Sequence, residues 1–206
     1  MNTVCRRRKP ADGFTIVELM VVIAIMAIIA VFAIPSYKGL MTQNRMAGEI
    51  NDLATDIELA RSAAVKQGLW VTICPSATPT NTAAPTCSGS TEWNTGWISF
   101  IDTTGSGIYN GANGDSLLRV HGPFTNTDTL VSSSTTVPLT SIVFNRMGGT
   151  NSFGSTTDTS DSNTGTLTLH DATNNLTWRR CVVLSEGGNI SVYSEQTQPQ
   201  TQGNCP

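Results

Sequence analysis

The feature that most constrains this chain is a long apolar segment close to its start. It runs from Phe14 to Ile34, stops at Pro35 and contains one charged residue, Glu18. A helix of these 21 residues is long enough to cross the hydrocarbon core of a membrane, which is about 30 Å thick. Four cations precede the segment, Arg6, Arg7, Arg8 and Lys9. Because basic flanks remain in the cytoplasm, we predict one spanning helix, with the chain beyond Pro35 on the opposite side.

The carboxylate of Glu18 is unusual in such a segment. At the centre of a membrane it costs roughly 2.5–3.5 kcal/mol on insertion scales. Glu18 either lies at the interface, where it reaches the lipid headgroups, or is kept for a partner of opposite charge that it meets later. We favour the second interpretation.

A cleaved secretory signal is the alternative interpretation of the segment. Small residues would then follow the apolar run, and Ala33-Ile34-Pro35-Ser36 could be taken for a cleavage site. However, the run is long for a signal core and carries Glu18 at its start. The junction before the run, Gly13-Phe14, is the more informative one.

The sequence Gly13-Phe14-Thr15-Ile16-Val17-Glu18, followed by the apolar run and Pro35, resembles the class III signal of type IV pilins and type II secretion pseudopilins. The resemblance implies that a prepilin peptidase cuts between Gly13 and Phe14 and methylates the new terminus, Phe14. It also implies that Glu18 meets the terminal amine of a neighbouring subunit during assembly. That pairing is physically reasonable, because opposite charges neutralise each other in a dry environment where one alone is costly.

Beyond Pro35 the pattern predicts an amphipathic helix that ends at Gly68. One apolar stripe with helical spacing comprises Met46, Ile50, Leu53, Ile57, Ala60 and Ala64. We therefore expect four parts: a cleaved leader at 1–13, a spanning helix at 14–34, an amphipathic helix half at 35–68 and a β-rich domain at 69–206. A continuous helix would run from Phe14 to Gln67.

Alternating segments rich in β-forming residues follow Gly68. They occupy 69–74, 96–102, 116–121, 141–145, 165–170, 176–184 and 189–194. The stretches between them, 75–93, 103–115 and 145–163, are rich in turn residues. This order predicts an α+β fold, with the long helix packed on an antiparallel sheet of six to eight strands.

Three further segments are similar to the GspH/FimT family within the pilin class. They are Ala60-Arg61-Ser62-Ala63-Ala64-Val65, then Trp93-Asn94-Thr95-Gly96-Trp97-Ile98-Ser99-Phe100-Ile101-Asp102, and Cys181-Val182-Val183-Leu184-Ser185. The resemblance implies the type IV pilin fold and a minor pilin of the FimT or FimU kind. It equally admits the related pseudopilin H of type II secretion.

Five cysteines are present, and Cys5 would leave with the leader. An even set of four in an exported domain indicates disulfides, with three possible pairings. Proximity along the chain favours Cys74–Cys87 and Cys181–Cys205. A zinc site is the alternative, but no histidine lies close to either pair and neither spacing is typical of a zinc knuckle.

DNA-binding members of the family have a Gly-Arg-x-Arg turn, and the corresponding place here reads Gly188-Asn189-Ile190-Ser191. Both arginines are missing. The nearest cations are Arg179 and Arg180 beside Trp178, which could engage single-stranded nucleic acid or could be solvated residues of an edge strand. Without the leader, eight Lys and Arg face fourteen Asp and Glu, a net charge near −6. DNA is therefore not expected as a partner.

No pattern indicates catalysis, a cofactor or a metal site. The two histidines, His121 and His170, are far apart, and no nucleophile elbow or phosphate loop occurs. The glycine-rich stretch from Asp102 to Asp115 has too few carboxylates for calcium, so a hairpin loop is the better interpretation.

These observations predict a minor type IV pilin rather than an enzyme. Its expected partners are prepilin peptidase, other minor and major pilins, the inner-membrane assembly platform and, before assembly, the lipid bilayer. The expected location is the bacterial inner membrane, with one span and a periplasmic domain, and afterwards the pilus. A DNA receptor for natural transformation is the alternative of a different class.

Overall fold

The structure is a computed structural model that describes residues 13–80, 85–132, 138–152, 165–185, 187–194 and 205. The chain separates into two compact units, Met1–Met41 and Thr42–Pro206. The leader prediction for 1–13 lies outside the described residues except for Gly13.

One helix, α1, extends from Ile16 to Gln67. The predicted helix, Phe14 to Gln67, is confirmed to within two residues at its start. Gly68 ends α1 with a backbone φ of 66°, and its N–H donates to the carbonyl of Ala64 at 2.9 Å. Glycine reaches this left-handed conformation without the strain that a Cβ would cause, which is why the helix stops here.

The Thr42–Pro206 unit contains nine strands in its described part. They are β1 (Trp70–Pro75), β2 (Trp97–Asp102), β3 (Ser116–His121), β4 (Thr129–Ser132), β5 (Ile142–Phe144), β6 (Thr150–Ser152), β7 (Gly165–His170), β8 (Arg180–Leu184) and β9 (Ile190–Ser194). One sheet has the order β3-β2-β1-β5-β6, and the other has the order β4-β7-β8-β9. Every pair is antiparallel, which confirms the α+β prediction.

The core of this unit lies between α1 and the two sheets. The six residues of the predicted helical stripe are all buried, with at most 1% of each residue exposed. They form one apolar cluster with residues of β1, β4, β5, β7 and β8. Trp93 and Trp97 are also buried, and each indole N–H has an acceptor: the carbonyl of Leu139 at 3.0 Å and Oδ2 of Asp56 at 2.9 Å. Buried indoles usually need such a partner.

Three details differ from the strand predictions. The predicted strand at 176–184 begins only at Arg180, because Leu176–Trp178 forms a 3-10 turn capped by the side chain of Asn175. Strand β8 is also paired on both sides, by β7 and β9, so the edge-strand interpretation of Arg179 and Arg180 is wrong. Strands β4 and β6 were not predicted, which makes nine strands instead of six to eight.

The structure contains two disulfides, Cys74–Cys87 and Cys181–Cys205. They are the two pairs that proximity along the chain favours. Cys74 lies on β1 and Cys181 on β8, so each sheet has one covalent link to a segment outside it.

Candidate functional site

The start of α1 holds the predicted processing and assembly residues. Gly13, Phe14 and Thr15 precede the helix and are exposed. No atom of the described residues lies within 4 Å of the place that a Cβ on Gly13 would occupy. The Gly13–Phe14 peptide bond therefore lies in an open, non-helical segment, the kind of backbone that a peptidase can accommodate.

Glu18 lies in the first turn of α1, and Thr15 caps this turn. The backbone N–H of Glu18 donates to Oγ1 of Thr15 at 3.2 Å, and the N–H of Leu19 donates to the carbonyl of Thr15 at 3.2 Å. Thr-x-x-Glu is the sequence pattern of a capping box, and an anion here also interacts favourably with the helix dipole. This second role of Glu18 was not predicted, although the Thr15–Glu18 spacing signals it.

The apolar surface that follows is fully exposed in the isolated chain. All described side chains from Gly13 to Ile34 are exposed, and Phe14 is 72% exposed. Within the described residues, α1 is the one helix long and apolar enough to cross a membrane. An apolar surface of this extent needs lipid or another protein against it. No ion pair to Glu18 occurs among the described residues.

The predicted cation pair does not form an open basic patch. Arg179 donates from one terminal nitrogen to the carbonyl of Cys205 at 3.0 Å and from the other to Oδ1 of Asn174 at 3.1 Å. Both Arg179 and Arg180 are half-buried, and their Nε atoms are enclosed without a hydrogen-bond acceptor. Arg179 therefore ties the Cys205 end of the chain to the loop before β8.

Residues 188–191, where both arginines are missing, cover the end of the turn between β8 and β9 and the start of β9. Gly188 has a φ of 76°, and a Cβ there would lie 1.9 Å from the carbonyl oxygen of Gly148. Arg61 holds this turn and the turn at Gly148 between β5 and β6, because its Nε donates to the Gly148 carbonyl at 3.0 Å and a terminal nitrogen donates to the Gly187 carbonyl at 3.2 Å. Asn189 in the turn and Ser191 in β9 are exposed, and both side chains are neutral.

The stretch from Asp102 to Asp115 is a hairpin loop organised by its two carboxylates. Asp102 accepts hydrogen bonds from the backbone N–H groups of Thr104, Ser106 and Gly107 and from the hydroxyl of Thr72. Asp115 accepts from the N–H groups of Thr103 and Asn110. In the part of the chain that the structure describes, no three His, Cys, Asp or Glu side chains are placed to hold a metal ion.

The histidines are engaged with nearby groups. His121 stacks on Trp97 with ring centroids 3.8 Å apart, and its Nδ1 lies 2.8 Å from the carbonyl of Gly122. His170 Nδ1 lies 2.9 Å from Oδ1 of Asn174.

Comparison with known families assigns both parts of the chain. The profile of the prokaryotic N-terminal methylation motif matches residues 8–34. The profile described as type II transport protein GspH matches residues 49–188, which is more than half of the chain. The chain belongs to the GspH family. The family resemblance found in the sequence is confirmed, and the family is one of structural pilin-like proteins.

Solved structures agree with the fold of this GspH-family protein. The type IV minor pilin FimU of Pseudomonas aeruginosa PAO1 matches with a TM-score of 0.52 and 20% identity, over 79% of this chain and 96% of that one. A second crystal form of FimU gives a TM-score of 0.49 at 19% identity, over 76% and 96%. No protein with a curated description matches significantly. At this identity the likeness of the first crystal form shows the fold alone.

Proposed function

We propose that this GspH-family protein is a minor type IV pilin that is built into the priming or tip complex of the pilus. One observation carries the proposal: an exposed apolar helix with Glu18 in its first turn directly follows the Gly13–Phe14 junction. The same chain continues into a domain of the GspH family that buries its own apolar core. A membrane anchor alone would not require a carboxylate at that position.

Maturation would begin with prepilin peptidase cutting the exposed Gly13–Phe14 bond and methylating Phe14. The apolar segment to Ile34 would then hold the protein in the inner membrane, with the domain in the periplasm. Lipid would cover the exposed side chains at this stage.

Assembly would replace the lipid around the apolar helix with the helices of other pilins. Apolar contacts are retained in this exchange, so little hydrophobic energy is lost. The Glu18 carboxylate would meet the amine of a neighbouring Phe14, and each charge would neutralise the other. This pairing fixes the axial position of one subunit against the next.

Mass spectrometry of the protein from sheared surface pili tests the proposal directly. We expect intact mature chains that begin at methylated Phe14. Gly13→Leu places a bulky side chain at the junction. The variant protein should keep its leader and should be absent from the pilus fraction. A mature terminus at or beyond Pro35 would contradict the proposal.

A second candidate role is supported by the description of the matching family as a type II transport protein. In that role the same processing and helix packing would build a pseudopilus of the type II secretion system. Deletion of the gene separates the two roles: loss of surface pili with normal protein secretion supports the pilus role. Loss of protein secretion with normal surface pili supports the secretion role.

A further inference from the structure

A polar cluster joins α1 to the segment before β4. We call the residues 122–128 the strap, because they connect β3 to β4 and lie along α1. The cluster consists of Arg45 and Glu49 on α1 and Asn126 and Asp128 on the strap. Arg45 and Glu49 lie one helical turn apart, so both side chains reach the same end of the strap.

Arg45 binds Asp128 through a bidentate contact. The Asp128 side chain is fully buried, and Arg45 donates to both of its carboxylate oxygens, from Nε and from a terminal nitrogen, each at 2.8 Å. Bidentate guanidinium–carboxylate contacts are among the stronger hydrogen-bonded pairs in proteins. Asp128 therefore serves as a hydrogen-bond acceptor in this cluster.

Glu49 is the member of the cluster that has one oxygen with a hydrogen-bond partner and one without. Its Oε1 accepts a hydrogen bond from the side-chain amide of Asn126, whose Oδ1 in turn accepts from the backbone N–H of Asp128 at 2.7 Å. Its Oε2 is buried and has no hydrogen-bond partner among the residues that the structure describes. Two carboxylates without a proton between them can only repel, whereas a protonated Oε2 becomes a donor.

We propose that Glu49 carries a proton on Oε2, which it donates to the Asp128 carboxylate, and that this shared proton fastens the strap to α1. With the proton in place, every buried oxygen of the cluster has a partner. Loss of the proton leaves two negative charges at one site, with Arg45 as the neutralising cation, and weakens the attachment of the strap.

The electrostatics of the cluster agree with this assignment. The pKa of Glu49 is raised from 4.5 to about 7, and burial is the largest cause. The Asn126 amide and Arg45 lower this pKa, whereas the charge of Asp128 and the hydrogen bond with it contribute to the rise. Further along the same face of α1, Asp52 lies 3.9 Å from Nε2 of His121, at the end of β3, where the strap begins.

The sign of the pH effect follows from the raised pKa. Between about pH 4.5 and about pH 7 the folded chain binds this proton and the unfolded chain releases it, so stability falls as the pH rises through this window. The strap is therefore held most firmly in mildly acidic solution. Its attachment weakens as the pH rises through this window and is weakest above about pH 7.

Hydrogen exchange on the full chain in detergent micelles measures the attachment. Amide protection factors of 122–128, corrected for intrinsic exchange, would be compared at about pH 5.5 and about pH 8.5 in the wild type, Glu49→Gln and Glu58→Gln. Glutamine keeps the acceptor for Asn126 and supplies a permanent donor toward Asp128. Glu58 is an exposed residue of α1, so its variant controls for the loss of a charge.

In the wild type and in Glu58→Gln, we expect the protection factors of the strap to be at least about tenfold lower at the higher pH. In Glu49→Gln, we expect them to be the same at both pH values. Infrared difference spectra should show a protonated-carboxyl band that titrates near neutral pH and is absent from Glu49→Gln. Equal pH dependence in Glu49→Gln, or a Glu49 carboxyl that titrates near its ordinary value, would overturn the proposal. The infrared spectrum detects the protonated carboxyl group directly. It therefore tests the proposal in the wild type even if a variant is unstable.

Discussion

At the scale of single residues, buried aspartates organise the loops of the domain. Asp102, Asp115 and Asp171 are all buried, and each accepts hydrogen bonds from backbone N–H groups of its own loop. Burial raises the pKa of Asp171, but hydrogen bonds from Thr173 and from backbone N–H groups outweigh it and lower the pKa below 3.8. Part of the acidic excess in the composition is therefore structural.

Replacing Asp102 tests this role. Asp102→Ala removes the acceptor of several enclosed N–H groups and of the Thr72 hydroxyl, and should lower the free energy of unfolding by about 2–4 kcal/mol. Asp52→Ala, on the exposed side of α1, is the matched control and should change it by less than about 0.5 kcal/mol. Chemical denaturation measures both. A small effect of Asp102→Ala would show that water replaces the carboxylate.

The role of Glu18 is tested by Glu18→Ala. The variant should insert into the membrane and be processed after Gly13, because neither step uses the carboxylate, but should fail to restore piliation. Glu58→Ala removes an exposed charge from the same helix and should assemble normally. Electron microscopy and immunoblots of the sheared fraction report the result. Wild-type piliation with Glu18→Ala would contradict the assembly role.

These residues can be predicted from the sequence only where the residues that act with them are close in sequence. Gly13, Phe14 and Glu18 form a contiguous motif, so the sequence alone singles them out. The engagement of Arg179 with the Cys205 carbonyl, and of Glu49 with Asn126, joins residues far apart in sequence. No pattern within the sequence signals such contacts, because they exist only once the strands are paired.

At the scale of elements, the apolar stripe of α1 provides the helical side of the core. Ile57→Ala should lower the free energy of unfolding by about 2–5 kcal/mol, since it leaves a cavity against the sheets. Leu59→Ala is the control, because Leu59 is exposed on the same helix and should cost much less. Thermal and chemical denaturation of the two variants compare them. Equal losses would mean that the stripe does not pack as the structure shows.

Regular elements were predictable where the pattern was long. Strands such as β2, β3 and β7 extend over six residues, and the stripe of α1 repeats over many turns. Strands β4 and β6 have four and three residues and are too short to show a period. Thr and Trp favour strands, so the sequence predicts a strand at Leu176–Trp178, whereas the cap from Asn175 makes a 3-10 turn there.

At the scale of the whole molecule, the two units differ in whether their apolar side chains are buried. The Thr42–Pro206 unit encloses its core, with both disulfides inside the same unit. The apolar residues up to Met41 remain exposed. A chain divided in this way is stable only where lipid or other helices cover its first unit, which is the situation of a pilin before and after assembly.

The DNA question also belongs to the whole molecule, because binding to phosphates depends on the distribution of charge. Residues 14–206 carry eight Lys and Arg against fourteen Asp and Glu, and Arg179 is committed to internal contacts. Two arginines would release only about two counterions, which gives weak binding at physiological salt. We therefore expect the full chain in detergent to cause no gel shift of duplex DNA at about micromolar concentration.

A variant designed to gain DNA binding provides the positive counterpart of this test. Asn189 and Ser191 are exposed at the turn that Gly188 and Arg61 hold in place, so Asn189→Arg with Ser191→Arg would add two cations to a rigid position. Binding should appear or strengthen, and should weaken with added salt, since each phosphate contact releases a counterion. The same two substitutions at Thr55 and Ser62, exposed residues of α1, control for net charge alone. Tight binding by the unmodified chain that Arg179→Ala with Arg180→Ala abolishes would instead establish the DNA-receptor alternative.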